Sequence, residues 1–201
     1  MATVSSLTHD DLGSAAQRDR RRRILDATVS LASKGGFDAV QMRAVAEQAD
    51  VALGTLYRYF PSKIHLLVSA LARQFEDIEA TLSRRVIPGD SPADRVEQVL
   101  TRATRGLQRD PQLTEALTRA FMFADASVAA EIHQVGMLLT SMLTRAMHPE
   151  GHHELTEEDV AIAQVIGDVW LSALVGWVTG RTSAAETGQR IEVAVKLLLR
   201  D

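Results

Sequence analysis

A metal site is the first chemistry that the spacing of reactive side chains suggests. Imidazole and carboxylate groups are zinc ligands, and bound zinc can activate water for hydrolysis. The dense cluster of such groups lies in the segment HPEGHHE, which contains Pro and Gly and lacks the fixed helical spacing of a metal site. An exposed polar loop is therefore the favoured interpretation, zinc binding is the alternative, and we expect no bound metal. The residues concerned are His148, His152, His153 and Glu154.

Other residue types that support catalysis are present without the patterns that make them reactive. The sequence has no cysteine, which excludes disulfides, thiolate metal sites and cysteine nucleophiles. Ser, His and Asp are plentiful, but no Gly-x-Ser-x-Gly turn and no glycine-rich phosphate-binding loop occurs. An enzyme is the less favoured class, and we expect no catalytic residue and no cofactor.

Positive charge is concentrated near the N-terminus, although the chain has a net charge of −4. Residues 1–63 contain 9 Lys and Arg against 7 Asp and Glu, whereas residues 64–201 contain 13 against 19. A basic run can be a solvated helix face or arm, or a surface that contacts the phosphates of nucleic acid. The run consists of Arg18, Arg20, Arg21, Arg22 and Arg23.

Helices must position these residues. Apolar residues recur at helical spacing almost throughout, and no alternating strand pattern between hairpin signals is found. With 201 residues, of which 46% are hydrophobic, the chain can form a real core. The sequence predicts an all-α fold, preceded by a disordered tail over residues 1–13, where periodicity is absent.

Caps and breakers set the predicted helix bounds. Gly35-Gly36 ends the first helix, Ser62 caps the fourth after Pro61, and Ser91 caps the fifth. Three helices in the first part, the last two short and separated by a tight turn, are the outline of a helix-turn-helix. The predicted helices span about 14–34, 42–48, 53–59, 63–85, 92–109, 111–123, 126–147, 156–180 and 184–199.

The segment MRAVAEQADVALGTLYRYFPSKIHLL, residues 42–67, meets the requirements of a DNA-recognition unit. A recognition helix buries one face against its partner helix and exposes side chains to the major groove. Its small core is predicted to contain Val45, Ala46, Ala49, Val51, Leu56 and Phe60. The alternative is a helical hairpin with core aromatics. The predicted DNA-binding residues are Arg20, Arg21, Arg22, Arg23, Arg43, Leu53, Gly54, Thr55, Tyr57, Arg58, Tyr59 and Lys63.

A set of residues at fixed gaps extends this pattern: Ala27, Ala32, Gly35, Phe37, Val45-Ala46, Gly54, Leu56, Tyr57, Phe60 and Lys63. The pattern resembles that of the TetR family of bacterial repressors. The resemblance implies a homodimer on a palindromic double-stranded DNA operator, with Thr55, Tyr57 and Lys63 at the DNA backbone and Gly54 permitting close approach.

The chain differs from the family pattern at three places near the turn. Gln41-Met42 stands where Thr is common, Asp50 where Gly is frequent, and Ala52 where Ser or Thr caps the recognition helix. A lost cap costs about 1 kcal/mol, which we expect Asp50 or Thr55 to offset. The longer runs QRDRRRRILDATVSLASKGGFDAVQMRAVAEQADVALGTLYRYFPSKIHLLVSAL and TRAFMFADASVAAE resemble the actinobacterial branch that represses sterol catabolism. That resemblance implies a steroid-acid coenzyme A thioester as the inducer.

The middle helices are predicted to enclose a small apolar effector. Met and Phe side chains can line an adaptable cavity, although each one is more often plain core. Arg105, Arg109 and Arg119 flank this region, either as solvated side chains or as partners of an anionic ligand. The predicted ligand-binding residues are Arg102, Leu107, Leu117, Phe121, Met122, Phe123, Met137, Met142 and Trp170.

The helix predicted over residues 156–180 is apolar on nearly every side. A helix that is hydrophobic all round is buried all round, so one face packs on its own domain and another on a second copy. The predicted dimer interface contains Ile166, Leu174, Trp177, Val195 and Leu198. The apolar run Val165–Val178 contains Asp168 and is too short to cross a bilayer, and the N-terminus has no secretion signal. We expect a cytoplasmic protein without membrane contact.

The predicted organisation is a tail over residues 1–13, a DNA-binding domain over 14–62 and an effector-binding and dimerisation domain over 63–201. Two alternatives stay open beside a helical enzyme. One is a helix-turn-helix regulator of another effector class, and the other is an activator controlled by a partner protein.

Overall fold

The computed structural model describes residues 9–82, 86–148 and 155–200. The secondary structure in these ranges consists of α-helices and one 3-10 turn, which confirms the predicted all-α fold class. A 3-10 turn, Ala126–Val128, precedes α7. The α-helices are α1 His9–Ala39, α2 Met42–Gln48, α3 Leu53–Tyr59, α4 Lys63–Leu82, α5 Pro92–Gln108, α6 Pro111–Met122, α7 Ala129–Met147, α8 Glu157–Val178 and α9 Ala184–Leu198.

The predicted bounds are confirmed for the two short helices α2 and α3 and shift elsewhere. The first helix begins at His9 rather than Ser14, so the predicted tail is helical in part, and residues 1–8 lie outside the described residues. The predicted end of α4 near Arg85 also lies outside them. α7 begins later than predicted because Ala126–Val128 form the 3-10 turn, whose Ser127 N–H donates to Asp125 at 2.9 Å.

The predicted break at Gly35-Gly36 is confirmed as a kink inside α1. Both residues have non-helical backbone angles, and Gly36 has φ 63° and ψ −157°, a region that residues with a Cβ avoid. A Cβ on Gly36 would also lie 3.0 Å from a carboxylate oxygen of Glu115. The kink turns the chain from the long part of α1 toward α2.

The core runs without interruption from the first three helices into the rest of the fold. Ile24, Val45, Leu56 and Phe60 are buried among α1, α2 and α3. α6 lies along α1, and α4 contacts α1, α6 and α7. Of the first three helices, α1 is therefore the one held by both α4 and α6.

The last two helices pack together and cover α5 and α7. Length and apolar composition alone would allow α8 to cross a membrane. In this fold its N-terminus is held by a capping box between Thr156 and Asp159, and Ile166 and Trp170 are buried among the other helices. One side of α8 therefore packs in the core of this fold, and 39% of its apolar window is buried.

His148, from the suggested metal cluster, makes a different contact. Its Nε2 lies 2.9 Å from Asp159 Oδ1 and joins the end of α7 to the start of α8. The hydrogen bond from His148, with those from Thr156, holds the pKa of Asp159 well below its ordinary value. His152, His153 and Glu154 lie outside the described residues. Within the described residues, no three His, Asp or Glu side chains are grouped so that they could hold a metal ion.

Candidate nucleic-acid interface and apolar cavity

The turn between α2 and α3 depends on a left-handed residue. Asp50 has φ 51°, a conformation that Asp and Asn tolerate better than most residues with a Cβ and that Gly adopts freely. Arg23 supports this turn from α1, since its guanidinium donates to the carbonyl oxygens of Ala49 at 2.6 Å and Asp50 at 3.3 Å. Ala52 makes no side-chain cap at α3, and the compensating cap expected from Asp50 or Thr55 is not formed.

The arginine run is part of α1 and not a free arm. Arg22 pairs with Asp19 at 2.5 Å but stays exposed, so its phosphate contact remains a prediction, whereas the guanidinium of Arg23 is bonded to the α2–α3 turn. Arg20 is half-exposed, and the guanidinium carbon of Arg21 lies 5.7 Å from the ring centroid of Phe60. These two residues remain candidates for DNA contact.

The exposed face of α3 carries four of the twelve predicted DNA-binding residues. Gly54, Tyr57 and Arg58 are exposed, Thr55 is half-exposed, and nothing lies within 4 Å of the position of a Cβ on Gly54. Arg43 is exposed on α2. This surface leaves room for the backbone of a duplex to approach.

Two residues predicted to face outward pack inward instead. Leu53 lies two helical turns before Phe60 and thus on the same side of α3, where it packs against the core. Tyr59 also packs against the core, with its ring 6.4 Å from that of Phe60. Leu53 and Tyr59 are therefore both partly buried, so each keeps only a partly exposed edge for a DNA contact.

The prediction that Lys63 contacts phosphate assumed that its side chain extends into solvent. In the structure it packs against Phe37 instead. Its ammonium lies 3.8 Å from the ring centroid of Phe37, in a cation–π contact. Burial lowers the pKa of Lys63, an effect opposed by the nearby carboxylate of Asp38. A phosphate contact by Lys63 remains a prediction that would have to compete with this contact.

Phe37 is the centre of a cluster that we call the α1–α6 junction: Phe37, Asp38, Lys63, Glu115 and Arg119. Glu115 accepts a hydrogen bond from the backbone N–H of Phe37 at 3.0 Å. Arg119 lies 4.4 Å from the Phe37 ring centroid and pairs with Asp38 and Glu115 at 3.7 and 3.6 Å. The sequence signal for this cluster is weak, since Glu115 and Arg119 form an ordinary i,i+4 pair.

An apolar cavity lies on the other side of α6. Its cavity volume is about 180 Å³, smaller than that of most ligand pockets, and it is open to solvent on one side. Phe75 and Trp170 meet edge to face on its wall, with centroids 5.9 Å apart. The lining residues are Leu71, Phe75, Leu107, Thr114, Leu117, Thr118, Phe121, Val135, Gly136, Leu139, Thr140, Ala163, Gln164, Gly167, Asp168, Trp170, Leu171 and Leu174.

Four of the nine predicted ligand-binding residues are on this wall: Leu107, Leu117, Phe121 and Trp170. Met142 is buried away from it, and Arg102 is exposed. Met122, Phe123 and Met137 are more than half exposed and are corrected to surface positions. The first two project from the end of α6, and Met137 lies on the opposite side of α7 from Val135, which lines the cavity.

Much of the wall was not predicted from the sequence. Leu71 and Phe75 come from α4, outside the region to which the pocket was assigned, and Gly167 and Leu171 come from α8, of which only Trp170 was predicted. The available signal was the helical spacing of apolar residues, which marks buried positions but does not separate a cavity wall from a filled core.

Three of the five predicted dimer-interface residues are too deeply buried in one protomer to contact a second copy, and the assignment of the other two stays a prediction. Ile166, Leu174 and Val195 are buried within one protomer, and Leu198 packs against its core. Trp177 is half-buried and lies two turns after Trp170, on the same side of α8. The outward apolar residues are Val165 on α8 and Val193 and Leu197 on α9, beside a groove that includes Asp168, Ser172 and Arg190.

Known proteins share both halves of this architecture. The model "Bacterial regulatory proteins, tetR family" matches residues 24–70, and "Tetracyclin repressor-like, C-terminal domain" matches residues 89–198. The HTH-type transcriptional repressor KstR of Rhodococcus jostii is 59% identical over 98% of this chain and 91% of its own length.

Solved structures agree. A TetR transcriptional regulator from Rhodococcus sp. RHA1 has a TM-score of 0.84 and 34% identity, covering 92% of this chain and 98% of its own. Thermus thermophilus FadR, in complex with lauroyl-CoA, has a TM-score of 0.70 and 20% identity, covering 89% and 93%. The latter likeness concerns the fold alone.

The fold and the exposed recognition helix thus define a DNA-binding transcription regulator and not an enzyme. The chain belongs to the TetR family. Its relationship to named repressors confirms the predicted repressor class.

Proposed function

We propose that the chain represses genes of sterol or other lipid catabolism by binding a palindromic operator as a homodimer, and that a steroid-acid coenzyme A thioester releases it. The observation that carries the proposal is the position of α6 between the cavity and the DNA-binding helices. Leu117 and Phe121 line the cavity, whereas Glu115 and Arg119 hold α1 at Phe37. A ligand that shifts α6 therefore alters the support of the DNA-binding helices.

The chemistry of the cavity supports an apolar effector. Its walls are formed mainly by aliphatic and aromatic side chains, while the exposed wall residues Gly136, Gln164 and Asp168 lie on α7 and α8 at the mouth. A ligand with an apolar body and a polar head can thus bury the body and leave the head in solvent. The Thermus protein was solved in complex with lauroyl-CoA, so a protein of this fold can accommodate a coenzyme A thioester.

Dimerisation supplies the two-fold symmetry that a palindromic operator requires. One chain presents one α3, and two half-sites must be engaged at a fixed separation. The exposed apolar residues Val165, Val193 and Leu197 lie on α8 and α9, which pack together, and give a second copy a surface to bury. As a DNA-binding repressor, the dimer acts in the cytoplasm.

An operator-release assay tests the proposal. An operator is selected from random duplex DNA with the purified chain, and its dissociation constant is measured by fluorescence anisotropy. The complex of the chain with this duplex is then titrated separately with the coenzyme A thioester of cholanic acid, with lauroyl-CoA and with free coenzyme A. We expect release by the steroid thioester at the lowest concentration and none by coenzyme A.

Other outcomes contradict separate parts of the proposal. Release by lauroyl-CoA alone would replace sterol control by fatty-acid control. Release by none of these compounds would contradict thioester induction and favour another effector class or control by a partner protein. A chain that selects no duplex sequence, or that binds half-sites as a monomer, would contradict the operator and dimer assignments.

A further inference from the structure

Arg23 joins α1 to the turn between α2 and α3. Its Nη1 donates to the carbonyl oxygen of Ala49 at 2.6 Å and to that of Asp50 at 3.3 Å. Its Nε donates to Asp19 Oδ2, one helical turn earlier on α1, at 3.3 Å. The planar guanidinium of Arg presents several donors in a fixed geometry. One side chain therefore holds a carboxylate of α1 and two backbone oxygens of the turn at the same time.

The Arg23 contact is made where the backbone of α2 ends. The last carbonyl groups of a helix have no intrahelical donor, and they carry the negative end of the helix dipole. Backbone N–H groups of the turn bond back to the carbonyl oxygens of Ala46 at 3.0 Å and Glu47 at 3.2 Å. The later carbonyl oxygens, of Ala49 and Asp50, receive the cationic donor. A side chain from another helix thus completes the end of α2.

Local interactions do little to fix the direction of α3. This helix is seven residues long, and neither Ala52 before α3 nor Gln41 before α2 supplies a side-chain cap. Among the described helices, α3 packs mainly against α2. Helices this short are marginal by themselves, so contacts from other elements must set their direction. The Arg23 contact begins on the long helix α1 and ends at Asp50, close to Leu53, where α3 begins.

We propose that Arg23 is a positioning residue for operator recognition. It orients the turn so that α3 presents exposed side chains, such as Tyr57 and Arg58, to the major groove. Arg23 acts through the backbone of the turn and contacts neither bases nor phosphates itself. This inference rests on the proposed operator binding and deepens it, because it assigns part of the discrimination between DNA sequences to a residue outside the recognition helix.

The substitution Arg23→Lys tests this role while preserving the positive charge. Lysine has one charged nitrogen and no planar fork, so it cannot hold Asp19 and both carbonyl oxygens together. Dissociation constants are measured by fluorescence anisotropy for the selected operator and for a scrambled duplex of the same length, over a range of salt concentrations. Operator binding should weaken by about tenfold, because hydrogen bonds from a charged donor are lost.

The scrambled duplex and the salt dependence separate positioning from phosphate contact. Binding of the scrambled duplex should change by less than about twofold in Arg23→Lys, because phosphate contacts carry no sequence information. The slope of operator affinity against salt should stay at the wild-type value in Arg23→Lys and Arg23→Ala, because no phosphate contact is removed.

Arg22→Lys is the matched control, because it makes the same substitution at the neighbouring residue. The Arg22 side chain pairs with Asp19 and Asp26 of its own helix, α1. Its replacement should leave the ratio of the two dissociation constants unchanged. Melting temperatures are recorded for all variants, and binding is measured well below the lowest of them, so that every chain is folded.

Several outcomes would overturn the inference. Wild-type operator affinity in Arg23→Lys, with a salt slope lower by about one unit in Arg23→Ala, would show a phosphate contact instead. Equal losses on both duplexes, or a lower melting temperature with an unchanged ratio, would show a purely structural role. A wild type that does not distinguish the operator from the scrambled duplex contradicts the proposed function, and the positioning role fails with it. The measurements use no effector, so their result is independent of the proposed inducer.

Discussion

The α1–α6 junction should carry the effect of ligand binding to the DNA-binding helices, and Glu115→Ala tests this directly. The substitution removes the carboxylate that accepts the Phe37 N–H at 3.0 Å and pairs with Arg119 at 3.6 Å. A hydrogen bond to a charged group contributes about 1.5–3 kcal/mol. Because the Glu115 side chain is about one-third exposed, solvent screening reduces this to about 1 kcal/mol.

A loss of about 1 kcal/mol from the coupling between cavity and operator corresponds to about a fivefold change in an equilibrium constant. The measured quantity is the ratio of operator dissociation constants with and without saturating steroid-acid thioester. We expect this ratio to fall by about fivefold in Glu115→Ala, while calorimetry shows nearly unchanged affinity of the thioester for the free protein. Anisotropy measures the operator constants.

Two further variants identify the interaction responsible. Glu115→Gln keeps an oxygen for the Phe37 N–H and loses the charge next to Arg119, so it should retain most of the coupling. Glu192→Ala removes an exposed i,i+4 ion pair with Lys196 on α9 and should leave the ratio unchanged. An unaltered ratio in Glu115→Ala, accompanied only by a lower melting temperature, would show that the contact is structural and refute the reasoning.

Three other substitutions test the turn, the dimer face and a helix cap. Asp50→Gly should raise the free energy of unfolding by about 1 kcal/mol because it relieves a positive φ, and a lower melting temperature would contradict this. Val165→Asp should give folded monomers in sedimentation, whereas Trp177→Asp should lower thermal stability and leave the dimer; the reverse result would restore the Trp177 interface. Asp159→Asn should lower the free energy of unfolding by about 1 kcal/mol at pH 7, because it weakens the cap of α8 and removes the charge next to His148. Since the pKa of Asp159 is lowered by folding, chemical denaturation should show this difference shrinking as the pH falls below about 4, and a constant difference would contradict the account.

Local sequence determined the helical elements and the small core of the DNA-binding unit. The bounds of α2 and α3 follow from apolar residues at helical spacing between short breaking segments, and Val45 and Leu56 are buried as that spacing predicts. The kink in α1 was also predictable, because Gly35-Gly36 interrupts a strong helical pattern. These features depend on interactions within a few residues along the chain, which explains their visibility in the sequence.

Tertiary contacts decided which side chains were free to act. In the sequence, Arg23 looks like any other member of a basic run. In the structure, its guanidinium donates hydrogen bonds to the carbonyl oxygens of the α2–α3 turn. In α8, apolar residues on nearly every side leave no periodic signal to separate the buried Ile166 from the exposed Val165. Leu117 is likewise one helical leucine among several, and only the packing of α4 and α8 against α6 places it on a cavity wall. Neighbouring helices distant in the chain determine these differences, so the spacing of residues within one helix cannot encode them.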